Sequence, residues 1–378
     1  MKHCKIIRAV TVAQSTKFYY NIISDLQKEG YEIVSISSPG SELQALREKG
    51  VKVIEVPMER HISLIRDSKS LFQLIKVFRN EKPYLVHSMT PKAGLLCMLA
   101  GWLTGVPRRV HTFTGLVWPT ATGLSRKILM ATDWLTCVCA THVIPEGQGV
   151  LNDLRQYITK KPMRLLGYGN VRGVDMVHFS RRPEVMMQAE KLRKSDVFTF
   201  IFVGRVVGDK GINELIEAFA KLQVKYRKIR LFLVGRYEAK LDPLQLITLQ
   251  RIKENPAIEA IGPKYDDTLL AYYAASDCFV FPSYREGFPN TVLEAGAMGL
   301  PSIVTDINGS REIIKHGTNG VVIPPKDIDA LYNAMKQMLL NKKLVQQLAD
   351  NARSLIESRF EQSFVHRCLY EFYDEIIK

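Results

Sequence analysis

The stretch "FTFIFVGRVVGDKGINELIEAF", Phe198–Phe219, reads as a strand, a glycine-punctuated loop and the start of a helix. Phe198–Val203 is an apolar run of strand length, and helical sequence begins near Ile212. Gly204, Gly208 and Gly211 keep the loop between them open. The loop is not a Walker A sequence, because Lys210 is followed by Gly211 where Ser or Thr is required. What it offers is two cations, Arg205 and Lys210, beside a helix N-terminus, a setting suited to a diphosphate.

The same alternation extends in both directions. Strands are expected at Lys5–Val12, Glu32–Ser37, Val51–Val56, Tyr84–His87 and Arg109–Thr112, and again at Phe198–Val203, Arg230–Val234, Cys278–Phe281, Ser302–Val304 and Val321–Ile323. Amphipathic segments lie between them, such as the one carrying Leu71, Leu74, Ile75 and Phe78. Strands alternating with helices predict parallel, doubly wound sheets. The pattern pauses at 171–196, where "RGVDMVHFSRRPEVMMQAEKLRKSD" is charged and lacks a strand, and 378 residues are more than one core needs. The fold class is therefore α/β with two Rossmann-like domains facing a central cleft, bounded at 1–175 and 176–362. A C-terminal helix, 363–378, carries Val365, Cys368, Leu369, Phe372 and Ile376 on one face and has either domain to pack on, the N-terminal one included.

Composition narrows the function. The apolar share of 46% against 24% charged residues is that of a globular chain. "AGLLCMLAGWLTGVP" is too short to span a bilayer and reads as a buried helix. "MKHCKIIRAVTVAQS" is interrupted by Arg8 and reads as a first strand, not a secretory signal. Six scattered cysteines, of which Cys137 and Cys139 form a lone C-x-C, lack the spacing of a zinc site and predict reduced thiols in the cytoplasm. The net charge of +14 is spread along the chain without a dense basic run or RNP-like aromatic pattern, so nucleic acid is not the expected partner. An anionic membrane surface fits better.

A second stretch, "REGFPNTVLEAGAMGLPSIVTDINGSREII", Arg285–Ile314, places Glu286 and Glu294 in an E-x7-E pattern around a Gly-Phe-Pro-Asn turn. A strand, "CFVFPS", precedes the turn and a helix is expected from about Asn290, with Pro289 suited to its start. Free first-turn amides there can hold a sugar or phosphate oxygen, while Glu286 stays in the loop and Glu294 rides on the helix. Glu294 equally suits the helix dipole, a purely structural role. "GYGNVRG", Gly167–Gly173, departs from the dinucleotide fingerprint and lies at a domain end, which argues against a nicotinamide or flavin enzyme. Asp327-Ile328-Asp329 is a D-x-D that reads as a helix cap in preference to a manganese site.

These stretches, with "GNVRGVDMVHF" and "GPKYDDTLLAYYAASDCFVFPS", resemble the donor half of family 4 of the retaining glycosyltransferases, which have the GT-B fold. The resemblance covers essentially the whole chain. It implies that Arg205 and Lys210 hold the diphosphate and that Glu294 binds the ribose. It also implies that Glu286 contacts the donor sugar near its anomeric centre. Gly287, Phe288 and Asn290 would assist through backbone amides and Thr291 through its hydroxyl, with the base near Gly235, Arg236 and the loop from Gly262 to Tyr265. The N-terminal sequence "LVHSMTPKAGLLCMLAGWLTGVPRRVHTFTGLVWPTATG" resembles the acceptor domain of bacterial members that build capsule, exopolysaccharide or O-antigen units on a polyprenyl diphosphate. In it His111 matches the active-site histidine, an acid/base or a sugar contact. Many relatives carry a Gly pair after the first strand. Here that loop is "TVAQSTKFYY", so Gln14, Ser15 and Thr16 are expected to supply hydrogen bonds or shape the acceptor site.

The expected reaction is transfer of a sugar from a nucleotide-sugar, a uridine diphosphate sugar by preference, to a lipid-linked saccharide. It is expected to retain configuration and to need no metal or other cofactor, because Arg205 and Lys210 neutralise the leaving diphosphate. Front-face attack is the simplest route; Glu286 is the one evident nucleophile for double displacement, which the sequence leaves open. A soluble acceptor, a GT-B-fold epimerase and a non-catalytic subunit are the rival readings. "GLSRKILMATDWL", 123–135, and "HISLIRDSKSLFQLIKVFR", 61–79, have the basic and apolar residues for peripheral docking on the inner face of the cytoplasmic membrane, and equally read as ordinary domain helices.

Overall fold

Strands form where β-branched and aromatic residues run together, and burial on both faces makes those runs almost wholly apolar. The computed structural model describes residues 4–59, 63–238 and 242–377. It divides into two units, one made of residues up to Gly173 together with those from Ser363 onward, the other Val174–Gln362.

In the first unit the strands are β1 (Lys5–Ala9), β2 (Glu32–Ser37), β3 (Lys52–Glu55), β4 (Leu85–Met89), β5 (Arg108–Phe113) and β6 (His142–Pro145). They pair in parallel in the order β3-β2-β1-β4-β5-β6. The second unit repeats the plan with β7 (Phe198–Val203), β8 (Ile229–Val234), β9 (Ile258–Gly262), β10 (Cys278–Phe281), β11 (Ser302–Thr305) and β12 (Gly320–Ile323). Its order, β12-β11-β10-β7-β8-β9, is the same doubly wound topology. Each sheet therefore reverses its strand order once, between β1 and β4 and between β7 and β10. Loops leaving the carboxyl ends there are where such folds bind ligands.

The helices bury one stripe each. Ile212–Lys225 turns Ile212, Leu215, Ile216, Phe219 and Leu222 inward, at helical spacing. The segment around "AGLLCMLAGWLTGVP" is the helix Pro91–Leu103, buried through Leu96, Cys97, Met98 and Ala100. The C-terminal helix Gln362–Ile377 packs in the first unit, where Leu369, Phe372, Tyr373 and Ile376 join the core formed with Ile6, Ile33 and Leu85. Its Tyr373 is wholly buried: Arg8 Nη1 donates to the phenol oxygen at 2.7 Å, and the phenol lies 2.6 Å from His87 Nδ1. Burial holds His87 well below its usual pKa, so the neutral ring accepts from Tyr373 and passes its own proton toward Thr112 at 2.7 Å.

Some expectations shift. β6 and β9 were not expected as strands; both are sheet edges, β6 is four residues ending in Pro145, and β9 is buried only at Ile258, its other four positions being half-buried or exposed. β1 stops at Ala9, short of Val12, because the chain turns into a 3-10 helix, Ala13–Phe18. The stretch 172–196 holds the helix Pro183–Leu192. No disulfide joins the six cysteines, and Cys137 and Cys139 are buried in the helix Gly123–Cys139. Among the described residues no helix is long and apolar enough to cross a membrane.

Candidate active site

The two loops that leave the β7–β10 switch point, 204–211 and 282–289, are fastened to each other before any side chain is considered. The Tyr284 amide donates to the Asp209 carbonyl at 2.9 Å. Gly211, at φ +71°, approaches so closely that a Cβ there would stand 2.0 Å from the Pro282 carbonyl oxygen. Gly309, at φ +75°, brings the β11 loop equally near, 2.4 Å from a built Cβ to the Gly287 carbonyl oxygen. Both positions require glycine for conformation and for space. The ends of β7, β8 and β9 are stitched too, by Gly204 to the Val234 carbonyl (3.0 Å), Val206 to the Arg236 carbonyl (2.9 Å) and Gly235 to the Gly262 carbonyl (3.0 Å).

On this frame the charged side chains interlock. Lys210 Nζ is ion-paired with Glu286 Oε1, and the Ser283 hydroxyl donates to the same oxygen at 2.9 Å. The pair is only 12% and 16% exposed, so each charge depends on the other for compensation. Arg205 Nη1 lies 3.1 Å from Glu238 Oε2 and its Nη2 3.9 Å from Asp209 Oδ2. Arg285 Nη2 reaches that Asp209 oxygen at 3.4 Å. Glu238, from the loop after β8, thus joins Arg205, Asp209 and Arg285 in one chain of ion pairs, beside the separate Lys210–Glu286 pair. The neighbouring Tyr284 hydroxyl donates to Glu214 Oε1 at 2.6 Å; burial and that carboxylate push its pKa above the usual phenol range.

Glu294 sits on the helix Asn290–Ala297, 7% exposed, with the Tyr273 hydroxyl 3.5 Å from Oε2. Pro289 stands as the residue before this helix, one place earlier than a first helical position. Phe288 turns its ring into the core against Phe360, 5.3 Å between centroids, which leaves its backbone as the polar group a ligand would meet. Asn290 and Thr291 are half-buried at the first turn, Gly287 is buried in the loop, and Arg236 and Tyr265 are exposed. Asp327 caps the helix Ile328–Leu340, its carboxylate accepting from the Ala330 amide at 2.8 Å. Among the described residues no three His, Cys, Asp or Glu side chains are grouped to hold a metal ion.

In the first unit His111 lies near the end of β5, 1% exposed, its Nδ1 2.9 Å from the Ser88 hydroxyl and its ring edge-on to Phe113 at 4.5 Å. Gly94 faces the imidazole so closely that a Cβ would fall 2.3 Å from Cε1. Burial drives its pKa down to about 3, so near neutrality the ring is uncharged and suited to hydrogen bonding. In the loop after β1, Thr16 is buried and its hydroxyl donates to the Ala13 carbonyl at 2.7 Å. Gln14 is exposed and Ser15 half-buried, so these two are the side chains of the three that face outward.

The structure therefore brings together Arg205, Lys210, Glu286 and the 287–291 turn in one unit, and places His111 in the other. Sequence reasoning missed Ser283, Arg285 and Tyr273. The signal for the first two was present, since both lie within three residues of Glu286 in "FPSYREGF"; Tyr273 is remote in sequence and meets Glu294 only through packing.

Two family models match the chain: "Glycosyl transferases group 1" over residues 186–355 and "Glycosyl transferase 4-like domain" over 16–169. The chain is 29% identical to the capsular polysaccharide biosynthesis glycosyltransferase CapM of Staphylococcus aureus, over 100% of this chain and 99% of that protein. It is 30% identical to the UDP-Gal:alpha-D-GlcNAc-diphosphoundecaprenol alpha-1,3-galactosyltransferase of Escherichia coli, over 89% of this chain and 87% of that one. Its fold resembles that of Anabaena HepE in complex with UDP and glucose, with a TM-score of 0.82 at 17% identity and coverage of 99% and 100%.

Proposed function

The chain belongs to the group 1 glycosyltransferases of GT-B fold, and from that membership we propose that it moves a sugar from a uridine diphosphate sugar to a polyprenyl-diphosphate-linked saccharide during surface polysaccharide assembly. The observation that carries the donor half is the Lys210–Glu286 pair, set with Arg205 in the two loops of the β7–β10 switch point. Cleaving the bond to a nucleoside diphosphate builds negative charge on the leaving phosphate and positive charge on the sugar ring. Arg205 and Lys210 meet the first and the Glu286 carboxylate the second. Glu294, one turn into its helix, is the ribose partner, and the amides of Gly287, Phe288 and Asn290 hold phosphate or sugar oxygens. Gly235, Arg236 and Tyr265 flank the base. In the first unit His111, neutral by burial, meets the acceptor or donor sugar as a hydrogen-bonding group, with Gln14 and Ser15 on the acceptor side.

We infer that transfer retains configuration by front-face attack, the departing phosphate helping to take the acceptor proton, and that no metal takes part. The Escherichia coli relative is named for a UDP-sugar donor and a diphosphoundecaprenol acceptor, which supports the substrate classes. The deciding experiment is calorimetric titration in EDTA with UDP, GDP, ADP, CMP and NAD, then product analysis with the matching sugar nucleotides and an undecaprenyl-diphosphate saccharide. Micromolar binding of UDP alone and an axial-to-axial product are expected. Binding of NAD alone, or transfer that requires added manganese, overturns the reading.

A lipid-linked acceptor is met at a bilayer, and we place the enzyme on the inner face of the cytoplasmic membrane. Supporting this, the helix Gly123–Cys139 exposes Leu124, Ile128, Trp134 and Val138 beside the exposed Arg126 and Lys127, while its single acid, Asp133, is buried. The helix Leu64–Glu81 likewise exposes Leu64, Ile65 and Phe72 with Lys69, Lys76 and Arg79; His61 and Ile62 of the same sequence segment lie outside the described residues.

A further inference from the structure

Arg285 has no part in the reading above, yet it closes the chain of ion pairs that runs from Glu238 through Arg205 and Asp209. Its side chain, 37% exposed, places Nη2 3.4 Å from Asp209 Oδ2, the same oxygen that Arg205 Nη2 approaches at 3.9 Å. Arg205 in turn lies 3.1 Å from Glu238. The backbone fixes this arrangement, because the Tyr284 amide donates to the Asp209 carbonyl at 2.9 Å. Arg285 is therefore anchored across from the Arg205–Lys210 loop, next in sequence to Glu286.

We propose that Arg285 is a third cation of the diphosphate site, and that Asp209 and Glu238 are internal stand-ins from which a nucleoside diphosphate takes over Arg285 and Arg205. The inference rests on the donor reading of this site. Its physical basis is an exchange of partners. A half-exposed Arg–carboxylate pair contributes little, because solvent screens it and two long side chains must be held in place. A phosphate presents more charge and can accept two parallel N–H bonds from one guanidinium. Releasing a weak carboxylate partner for a bidentate phosphate is thus favourable for both arginines. The carboxylates meanwhile keep the guanidinium groups extended toward the site, and they disfavour ligands with too little charge to displace them.

The exchange predicts how binding divides among ligands. An uncharged nucleoside gains nothing from Arg285, UMP gains part, and UDP gains most. Calorimetric titration of the full chain with UDP, UMP and uridine, at low and high salt, tests this on four variants whose folding is checked by thermal melting. Arg285→Ala is expected to weaken UDP by about tenfold or more and to leave uridine unchanged, with a shallower salt dependence. Arg285→Lys, which keeps charge but not the planar fork, should fall between. Glu238→Gln should tighten UDP by about threefold, because it removes a competitor for Arg205. Lys210→Ala separates the two levels of the claim. If Lys210→Ala weakens UDP while Arg285→Ala binds it as the wild type does, the donor site stands and the role of Arg285 is overturned. If neither variant changes UDP binding, the donor reading falls and this inference falls with it. Weaker UDP binding in Glu238→Gln would show that Glu238 supports the site, which overturns the stand-in role.

Discussion

Glu286 shows how much a single side chain is asked to do. Its carboxylate compensates Lys210 in a pair that is mostly shielded from water and receives the Ser283 hydroxyl on the same oxygen. Removing it leaves Lys210 with one partner fewer and a stronger pull on phosphate, so nucleotide binding should survive while catalysis fails. Glu286→Ala is expected to abolish sugar transfer and to keep UDP affinity within about tenfold of the wild type, or tighter. Steady-state kinetics beside calorimetry reads both, and near-normal turnover would remove Glu286 from the mechanism. Glu286→Gln refines the outcome: it keeps the shape and loses the charge, so transfer lost in both variants points to electrostatic stabilisation and not to packing. Arg205, Lys210, Glu286 and Glu294 were all legible in the sequence, because the glycines and the E-x7-E spacing mark loops with an unusual density of charge. Asp209 and Glu238 were not, since nothing in the spacing of acids along a chain says which cation each will face.

At the scale of elements, the central strands were legible, as were the edges β3 and β12, and the edges β6 and β9 were not. β8 is buried at every position and apolar at all but Arg230, whereas β6 and β9 are edges whose shorter, mixed sequences carry no such signature. The helix Gly123–Cys139 is legible as amphipathic only in part: its inner face carries Thr136, Cys137 and Cys139, and its outer face is apolar again through Leu124, Ile128, Trp134 and Val138. A domain helix needs only the first of these. The second has a use if that face rests in a lipid headgroup layer, with Arg126 and Lys127 against anionic lipid. The expected result is that the protein sediments with phosphatidylglycerol vesicles and little with phosphatidylcholine ones. Leu124→Glu with Ile128→Glu should lose that sedimentation by about tenfold, with the melting temperature unchanged, because both side chains are exposed. Equal binding of the variant and the wild type to anionic vesicles would turn the outer face into something other than a membrane contact, and a shift from dimer to monomer in the variant would assign it to a second copy of the chain.

On the scale of the whole molecule, the chain crosses twice between its two units, and the second crossing gives the first unit its last helix. Val174 and Gln362 mark the crossings side by side: the Gln362 amide donates to the Val174 carbonyl at 3.0 Å, and the Val174 amide to the Phe360 carbonyl at 2.8 Å. The helix that follows buries Leu369, Phe372, Tyr373 and Ile376 within the first unit and hydrogen-bonds Arg8 Nη1 and His87 through the Tyr373 phenol. Four such side chains at about 1.5–3 kcal/mol each amount to about 6–12 kcal/mol, the size of a whole domain's stability. The proposed donor residues, in contrast, all lie between Val174 and Gln362, in the other unit. Ending the chain after Gln362 is therefore expected to unfold the first unit, abolish transfer and leave UDP affinity within about twofold. Scanning calorimetry should show one transition missing and the other shifted upward by UDP. Phe372→Ala, a milder change, should lower only the transition that UDP does not shift, by the cost of a large-to-small core substitution, about 3–5 kcal/mol. A single cooperative transition that UDP shifts in every variant would mean that the two units fold as one, and that a helix bound to the acceptor unit also holds the donor site in shape.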